Sequence, residues 1–274
     1  MWRLRKLKRT LLNPTTIFAL LLLNLLRLFS GASKYDFYVS LIQHKHPLIW
    51  RAHKGVPVGK SLVFCILPNW KKFIGRVKDS FPISDIYDKE VYDRLFKPQK
   101  GQVIVEIGAH VGIYTVKAAS EVGENGVVIA IDPCPVNYQL LKYNIKLNKL
   151  SNVLPLNVAI MNYNGKTKLY LFENAGRLSS TKISGEQYIT VPCKRLDGLL
   201  NELGIKNVDL IKIDVEGAEL DVLEGSWKIP VKRFVIAAYH DHVVPQEAKK
   251  VSQFLSSRAY KTLTIDKYVY AEAL

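Results

Sequence analysis

Glu106–Gly112 reads "EIGAHVG" and closes the apolar run "QVIVEIG" that begins at Gln102. An apolar run too short for a helix, followed by glycines, reads as a fully buried strand ending in a tight turn. The rhythm then repeats. "GVVIAID" ending at Asp132, "NVLPLNVAI", "NVDLIKID" ending at Asp214 and "RFVIAAYH" ending at His240 read as four further strands. Helical patterns separate them: Gly112 to about Glu121, "PVNYQLLKYNIKLN", "VEGAELDVLEG" and Pro245–Ser257. Strands apolar throughout and alternating with helices predict an α/β fold, a mostly parallel doubly wound sheet covered on both faces. The last stretch, "YKTLTIDKYVYAEA", predicts an antiparallel pair of edge strands.

Two regions depart from that rhythm. Between the third strand and "LDGLLNEL" lies "MNYNGKTKLYLFENAGRLSSTKISGEQYITVPC", where Asn164-Gly165 signals a type I′ hairpin. Its polar loop is expected to act as a lid or acceptor-binding element. Upstream, "SLVFCILP" is strand-like and "WKKFIGRVKDS" is basic and aromatic. "SDIYDKEVYDRLF" follows as an expected helix with Ser84 as N-cap, ended by Pro98.

Charge divides the chain unevenly. Residues 1–78 carry 15 Lys and Arg against a single acid, Asp36, a balance of +14 out of the total of +15. The remainder is nearly neutral, so any basic surface that meets a partner belongs to the first third. The opening "MWRLRKLKRTLLNPTTIFALLLLNLLRLFSGAS" sets five basic residues before a leucine-rich run. A cleaved signal peptide, a transmembrane helix and a helix lying in the bilayer interface all fit that pattern. If the downstream domain needs a cytosolic cofactor, the expectation is a helix over 1–33 attached to an anionic membrane surface, on the cytoplasmic side. An accessory region at 34–97 and a catalytic domain at 98–274 complete the division. Cys65, Cys134 and Cys193 form no CxxC spacing, which argues against a disulfide framework or zinc ribbon.

What would the loop hold? GxGxxG would let backbone amides close on a pyrophosphate, and GxxxxGK would cradle a phosphate. Neither is present. The pattern is Glu106, Gly108 and Gly112, ExGxxxG. An acid at the strand end repels a pyrophosphate and attracts an ammonium group, while the glycines let backbone approach a ligand. Asp132, ending the next strand, is placed to accept hydrogen bonds from a ribose. An adenosine compound bearing an ammonium group fits both carboxylates, and S-adenosylmethionine is such a compound.

The chain resembles the FkbM-type S-adenosylmethionine-dependent methyltransferases in "VEIGAHVGIYT", "AIDPCPVNYQLLKYNIKLN", "NVAI", "RLDGLL" and "DLIKIDVEGAELDVLEGSW". The resemblance covers roughly 98–240 and implies a Rossmann-like class I methyltransferase fold and O-methylation of sugar, glycan or polyketide-type hydroxyls. It implies that Glu106, Gly108, Ala109, His110 and Gly112 form the cofactor loop and that Asp132, where the family usually has Glu, takes the ribose. Asn157 and Ala159 then fall at the adenine pocket, and Asp214 and Glu216 on the acceptor side, with Asp214 also expected as a cofactor contact. After the fifth strand the family tends to show Glu, any residue, His; here "AAYHDH" stands instead.

Methyl transfer to an aliphatic hydroxyl needs the proton removed. His240 and Asp214 are the expected bases, and Arg177 and Ser180 in the insertion would grip the acceptor. A divalent metal held by His240, Asp241, His242 and Asp214 is an alternative way to lower the acceptor's pKa, but no metal is expected. Two other readings compete: a nucleic-acid methyltransferase drawing on the basic first third, and a silent membrane adaptor retaining the fold. The Asn-Pro-Pro-Tyr type block of base methylation is absent, with "KIDVEG" in its place. A silent fold has no physical need for Glu106, Gly108, Gly112 and Asp132.

Overall fold

The structure, a computed structural model, describes residues 62–67, 69, 71–76, 79, 81–171, 179–180, 187–238 and 246–274. The leading helix expected over 1–33, Arg177 and His240 lie outside those residues. Among the described residues, no helix is long and apolar enough to cross a membrane.

The sheet is built as the apolar runs predict. Parallel strands β3 (Val103–Ile107), β4 (Val127–Ile131), β5 (Val153–Leu156), β10 (Val208–Ile213) and β11 (Val231–Ala237) form its body. The antiparallel pair β12 (Tyr260–Ile265) and β13 (Tyr268–Ala273) completes it, with β13 lying against β11. The order is β12-β13-β11-β10-β3-β4-β5. From β3 the chain winds outward through β4 and β5, then returns to the other side for β10 and β11. The topological switch point therefore lies between the carboxyl ends of β3 and β10, where such sheets bind ligands.

Helices flank these strands: α1 (Phe81–Tyr87), α2 (Ile113–Val122), α3 (Pro135–Leu147), α4 (Leu196–Glu202), α5 (Glu219–Gly225) and α6 (Glu247–Ser256). Two large apolar clusters among the described residues hold helices to the sheet. One joins Val116 and Leu140 to Ile104, Val128 and Tyr270, and the other joins Leu200, Val222 and Val251 to Val105, Ile211 and Ile236.

Three local expectations are corrected. The run "NVLPLNVAI" divides: β5 stays in the main sheet, while β6 (Ala159–Ile160) pairs with β9 (Tyr188–Lys194) in a second sheet of order β6-β9-β7-β8. β7 (Gly165–Leu171) pairs with β9, and β8 (Ser179–Ser180) pairs with β7. No hairpin forms at Asn164-Gly165; the Asn164 side chain instead accepts the Arg195 amide at 2.8 Å. The helix expected from Ser84 begins earlier, at Phe81, with Ser84 inside it. Pro82 suits a first helical turn. The chain then unwinds into turns that include Glu90 at φ 47°, a left-handed conformation that cannot continue a helix.

A two-stranded hairpin, β1 (Leu62–Ile66) with β2 (Lys72–Arg76), stands apart from both sheets, and β2 docks on α3.

Candidate active site

The loop after β3 is bonded into the strands on both sides. Gly108 and Ala109 donate their amides to the Ile131 carbonyl at 3.0 and 2.9 Å, and the Asp214 amide donates to the Ile107 carbonyl at 3.0 Å. Gly108 is required twice over. Its φ is +80°, and a Cβ there would stand 1.8 Å from the Asp214 carbonyl oxygen. Gly112, φ +90°, ends the loop at the N-cap of α2, packed under Leu141.

A cavity of about 260 Å³ opens at this switch point. Glu106, Gly108, Ala109, His110, Asp132, Ala159, Asp214 and Glu216 all line it, so eight of the positions singled out from sequence converge there. Asn157 acts beside them, donating its side-chain amide to the Asp132 carbonyl at 2.9 Å. Ser180 pairs with Tyr170 in the β7–β8 ladder.

Glu106 is 1 % exposed, and its charge is met from within the chain. It accepts from the Thr115 hydroxyl at 2.5 Å and faces the Lys212 ammonium at 3.5 Å. Burial pushes its pKa up; Lys212 and the Thr115 bond pull it back. Lys212, in register beside Glu106 on β10, also donates to the Gly108 carbonyl at 3.0 Å and lies 4.0 Å from Asp214. The ammonium that the sequence reading sought for Glu106 in a ligand is thus supplied first by Lys212.

Asp132 accepts the His110 amide at 2.8 Å and the Cys134 amide at 2.9 Å. Burial raises its pKa to about 7 against those bonds and one from Asn137. The His110 ring keeps 29 % of its surface exposed. Burial still draws its pKa down to about 4; Asp79 opposes this, while Arg76 and Lys212 add to it, so the ring is neutral at pH 7.

The Tyr92 hydroxyl donates to Asp214 Oδ2 at 2.7 Å, and its ring lies 4.9 Å from the Lys212 ammonium. Tyr92 is fixed from behind: Tyr270 bonds the Val91 carbonyl, and Asp93 pairs with Lys117 and accepts from Tyr114. With Pro82 and Ile86 it forms an apolar roof over the cavity.

Sequence reasoning passed over Lys212, Tyr92, Arg76 and Asn137. Lys212 had a signal, a lysine inside the apolar strand "LIKID", because an ammonium is buried only where partners meet it. Among the described residues, no three His, Cys, Asp or Glu side chains gather as a metal site. His240, Asp241 and His242, the other parts of the metal alternative, lie outside them.

A glycine loop and paired strand-end carboxylates at the switch point of a doubly wound sheet are the parts of a nucleoside-cofactor site in an α/β enzyme. Residues 106–262 match the model of the Methyltransferase FkbM domain, and the chain belongs to that family. Among curated proteins it is 28 % identical over 184 residues to Methyltransferase sdnD of Sordaria araneosa, covering 56 % of this chain and 70 % of that one. It is 24 % identical over 178 residues to the Hexuronic acid methyltransferase AglP of Haloferax volcanii, covering 64 % and 72 %. The crystal structure of Methyltransferase FkbM from Methylobacillus flagellatus aligns with a TM-score of 0.47 and 16 % identity, over 71 % of this chain and 53 % of that one. The protein is an S-adenosylmethionine-dependent methyltransferase. The cavity fits that donor: four carboxyl groups (Glu106, Asp132, Asp214, Glu216) against the Lys212 ammonium suit a ligand carrying positive charge, and Gly108 leaves its backbone bare.

Proposed function

We propose that the protein O-methylates a hydroxyl of a sugar, glycan or lipid-linked acceptor at a membrane surface, with Asp214 as the base. The observation that carries the reading is the Asp214 carboxylate itself: it lines the cavity at the switch point, held by Tyr92 and accompanied by Lys212. Asp132 and Asn157 would hold the nucleoside end of the cofactor, and the Gly108 loop the amino-acid end. S-adenosylmethionine, when bound, supplies a methyl carbon on a sulfonium leaving group. The chain aligns the acceptor oxygen, and Asp214 takes the hydroxyl proton as the new O–C bond forms and the electron pair of the C–S bond goes to sulfur. His240, outside the described residues, is the second base in this proposal, and Glu216 is a further acceptor contact. Arg177 and Ser180 belong to the acceptor loop.

A sugar acceptor draws support from the name of the Haloferax relative, a hexuronic acid methyltransferase. The membrane setting draws it from the charge of residues 1–78 and the leucine run they enclose. The test uses the full chain, labelled S-adenosylmethionine, anionic vesicles and octyl glucuronide as the acceptor probe. Labelled methyl ether is expected, and Asp214→Asn should reduce it about 10²–10⁴-fold, a larger factor than any loss of S-adenosylhomocysteine affinity. Transfer to RNA but not to any glycoside, or an undiminished Asp214→Asn, would refute the proposal.

A further inference from the structure

The β1–β2 hairpin precedes residue 106, where the family match begins. It is nonetheless tied to the cofactor loop by a specific device. Asn144 on α3 and Asn148 at its C-cap, one turn apart, face the alternate residues Ile74 and Lys72 of β2. The Ile74 amide donates to Asn144 Oδ1 at 2.8 Å, and Asn144 Nδ2 returns a bond to the Ile74 carbonyl at 2.9 Å. Asn148 does the same for Lys72, at 2.7 and 2.6 Å. Two side-chain amides thus take the place of a neighbouring strand. Asn144 also donates to the Val111 carbonyl at 2.9 Å, inside the glycine loop, and is fully buried. One residue therefore sets the position of both β2 and the loop.

Past this anchor, β2 brings Arg76 up behind His110 and Asn137, two residues of the cavity lining. Asp79, fully buried, holds the guanidinium from behind through Arg76 Nε at 2.8 Å. One terminal nitrogen then meets His110 Nε2 at 3.1 Å and Asn137 Oδ1 at 2.8 Å. A guanidinium only donates, so the second contact settles the orientation of Asn137. His110 Nε2 stands between the Arg76 guanidinium at 3.1 Å and Asp79 Oδ1 at 3.4 Å. Asn137 turns its carbonyl to Arg76, leaving its NH₂ to bond Asp132, and both His110 and Asn137 line the cavity beside that carboxylate.

We propose that the hairpin braces the cofactor site from behind its lining and that Arg76 is a positioning residue for it. Through Asn137 and His110, Arg76 fixes Asp132 for the ribose of S-adenosylmethionine. This rests on the cofactor reading of the cavity. Arg76 acts at the nucleoside end, so its removal weakens adenosine and S-adenosylhomocysteine alike. A guanidinium that instead gripped the amino-acid carboxylate would weaken S-adenosylhomocysteine alone.

The experiment is calorimetric titration of both probes into the full chain as wild type, Arg76→Gln, Asn137→Ala and the double variant, below each variant's thermal midpoint. Both single substitutions should weaken both probes by about tenfold or more. The double variant should add little to either, because the two residues act in series. Adenosine affinity unchanged in Arg76→Gln, or additive losses in the double variant, would overturn the proposal. If Arg76→Gln does not fold, Asn137→Ala alone decides by whether adenosine binding falls. A wild-type chain that binds neither probe would refute the cofactor reading itself.

Discussion

Replacing Lys212 by methionine removes the ammonium that faces Glu106 across adjacent strands while keeping the length of the stem. At 3.5 Å and an effective dielectric of about 20, the lost attraction is about 5 kcal/mol. Removing one partner of a buried pair costs about 3–5 kcal/mol in practice. The carboxylate can escape part of that by taking up a proton, which makes the cost depend on pH. Burial already holds the folded-state pKa of Glu106 above its ordinary 4.5, with Lys212 pulling it down; without Lys212 it rises further. Where the folded pKa lies above the unfolded one, the folded state holds more protons, so stability falls as pH rises between the two values, by at most about 1.4 kcal/mol per unit. The variant's window reaches to higher pH than the wild type's. Urea unfolding of both chains followed by circular dichroism should show a modest gap at about pH 5 that widens to about 3–5 kcal/mol at about pH 8. A gap that stays constant, or is largest in acid, would mean that Lys212 does not neutralise Glu106.

Two further outcomes follow from the same cavity. Gly108→Ala should cost more than about 2 kcal/mol and abolish S-adenosylhomocysteine binding, since the new Cβ meets the Asp214 carbonyl in a left-handed backbone; thermal melts and titration check both. Asp132, with its pKa raised to about 7, lowers the stability of the unliganded chain as pH rises from about 4 to about 7. Its ionised form is the better ribose acceptor, so S-adenosylhomocysteine affinity should rise through about pH 7 and lose that rise in Asp132→Asn.

The sheet was legible because its central strands are buried on both faces and read as unbroken apolar runs, a pattern that leaves little choice of element or partner. The cofactor loop was legible for a related reason: Gly108 and Gly112 mark backbone that only glycine adopts without strain. The second sheet was not. Ala159 and Ile160 continue the apolar run of β5 in sequence, and only the pairing of β6 with the distant β9 removes them from the main sheet. The turn signal at Asn164-Gly165 lost to the same long-range pairing. Arg76 was hidden by its neighbours. In a segment rich in lysine it reads as part of a solvated or membrane-facing surface, yet its guanidinium is used inward on Asp79, Asn137 and His110. Lys212 and Tyr92 act through contacts between residues 106 and 122 positions apart, which no local pattern carries.

The central claim is that the cavity between β3 and β10 holds S-adenosylmethionine, and calorimetric titration of S-adenosylhomocysteine into the full wild-type chain tests it most directly. Saturable one-to-one binding in the micromolar range, competed by S-adenosylmethionine, is the predicted result. A folded chain that gives no heat of binding with either compound at millimolar concentration would contradict the claim.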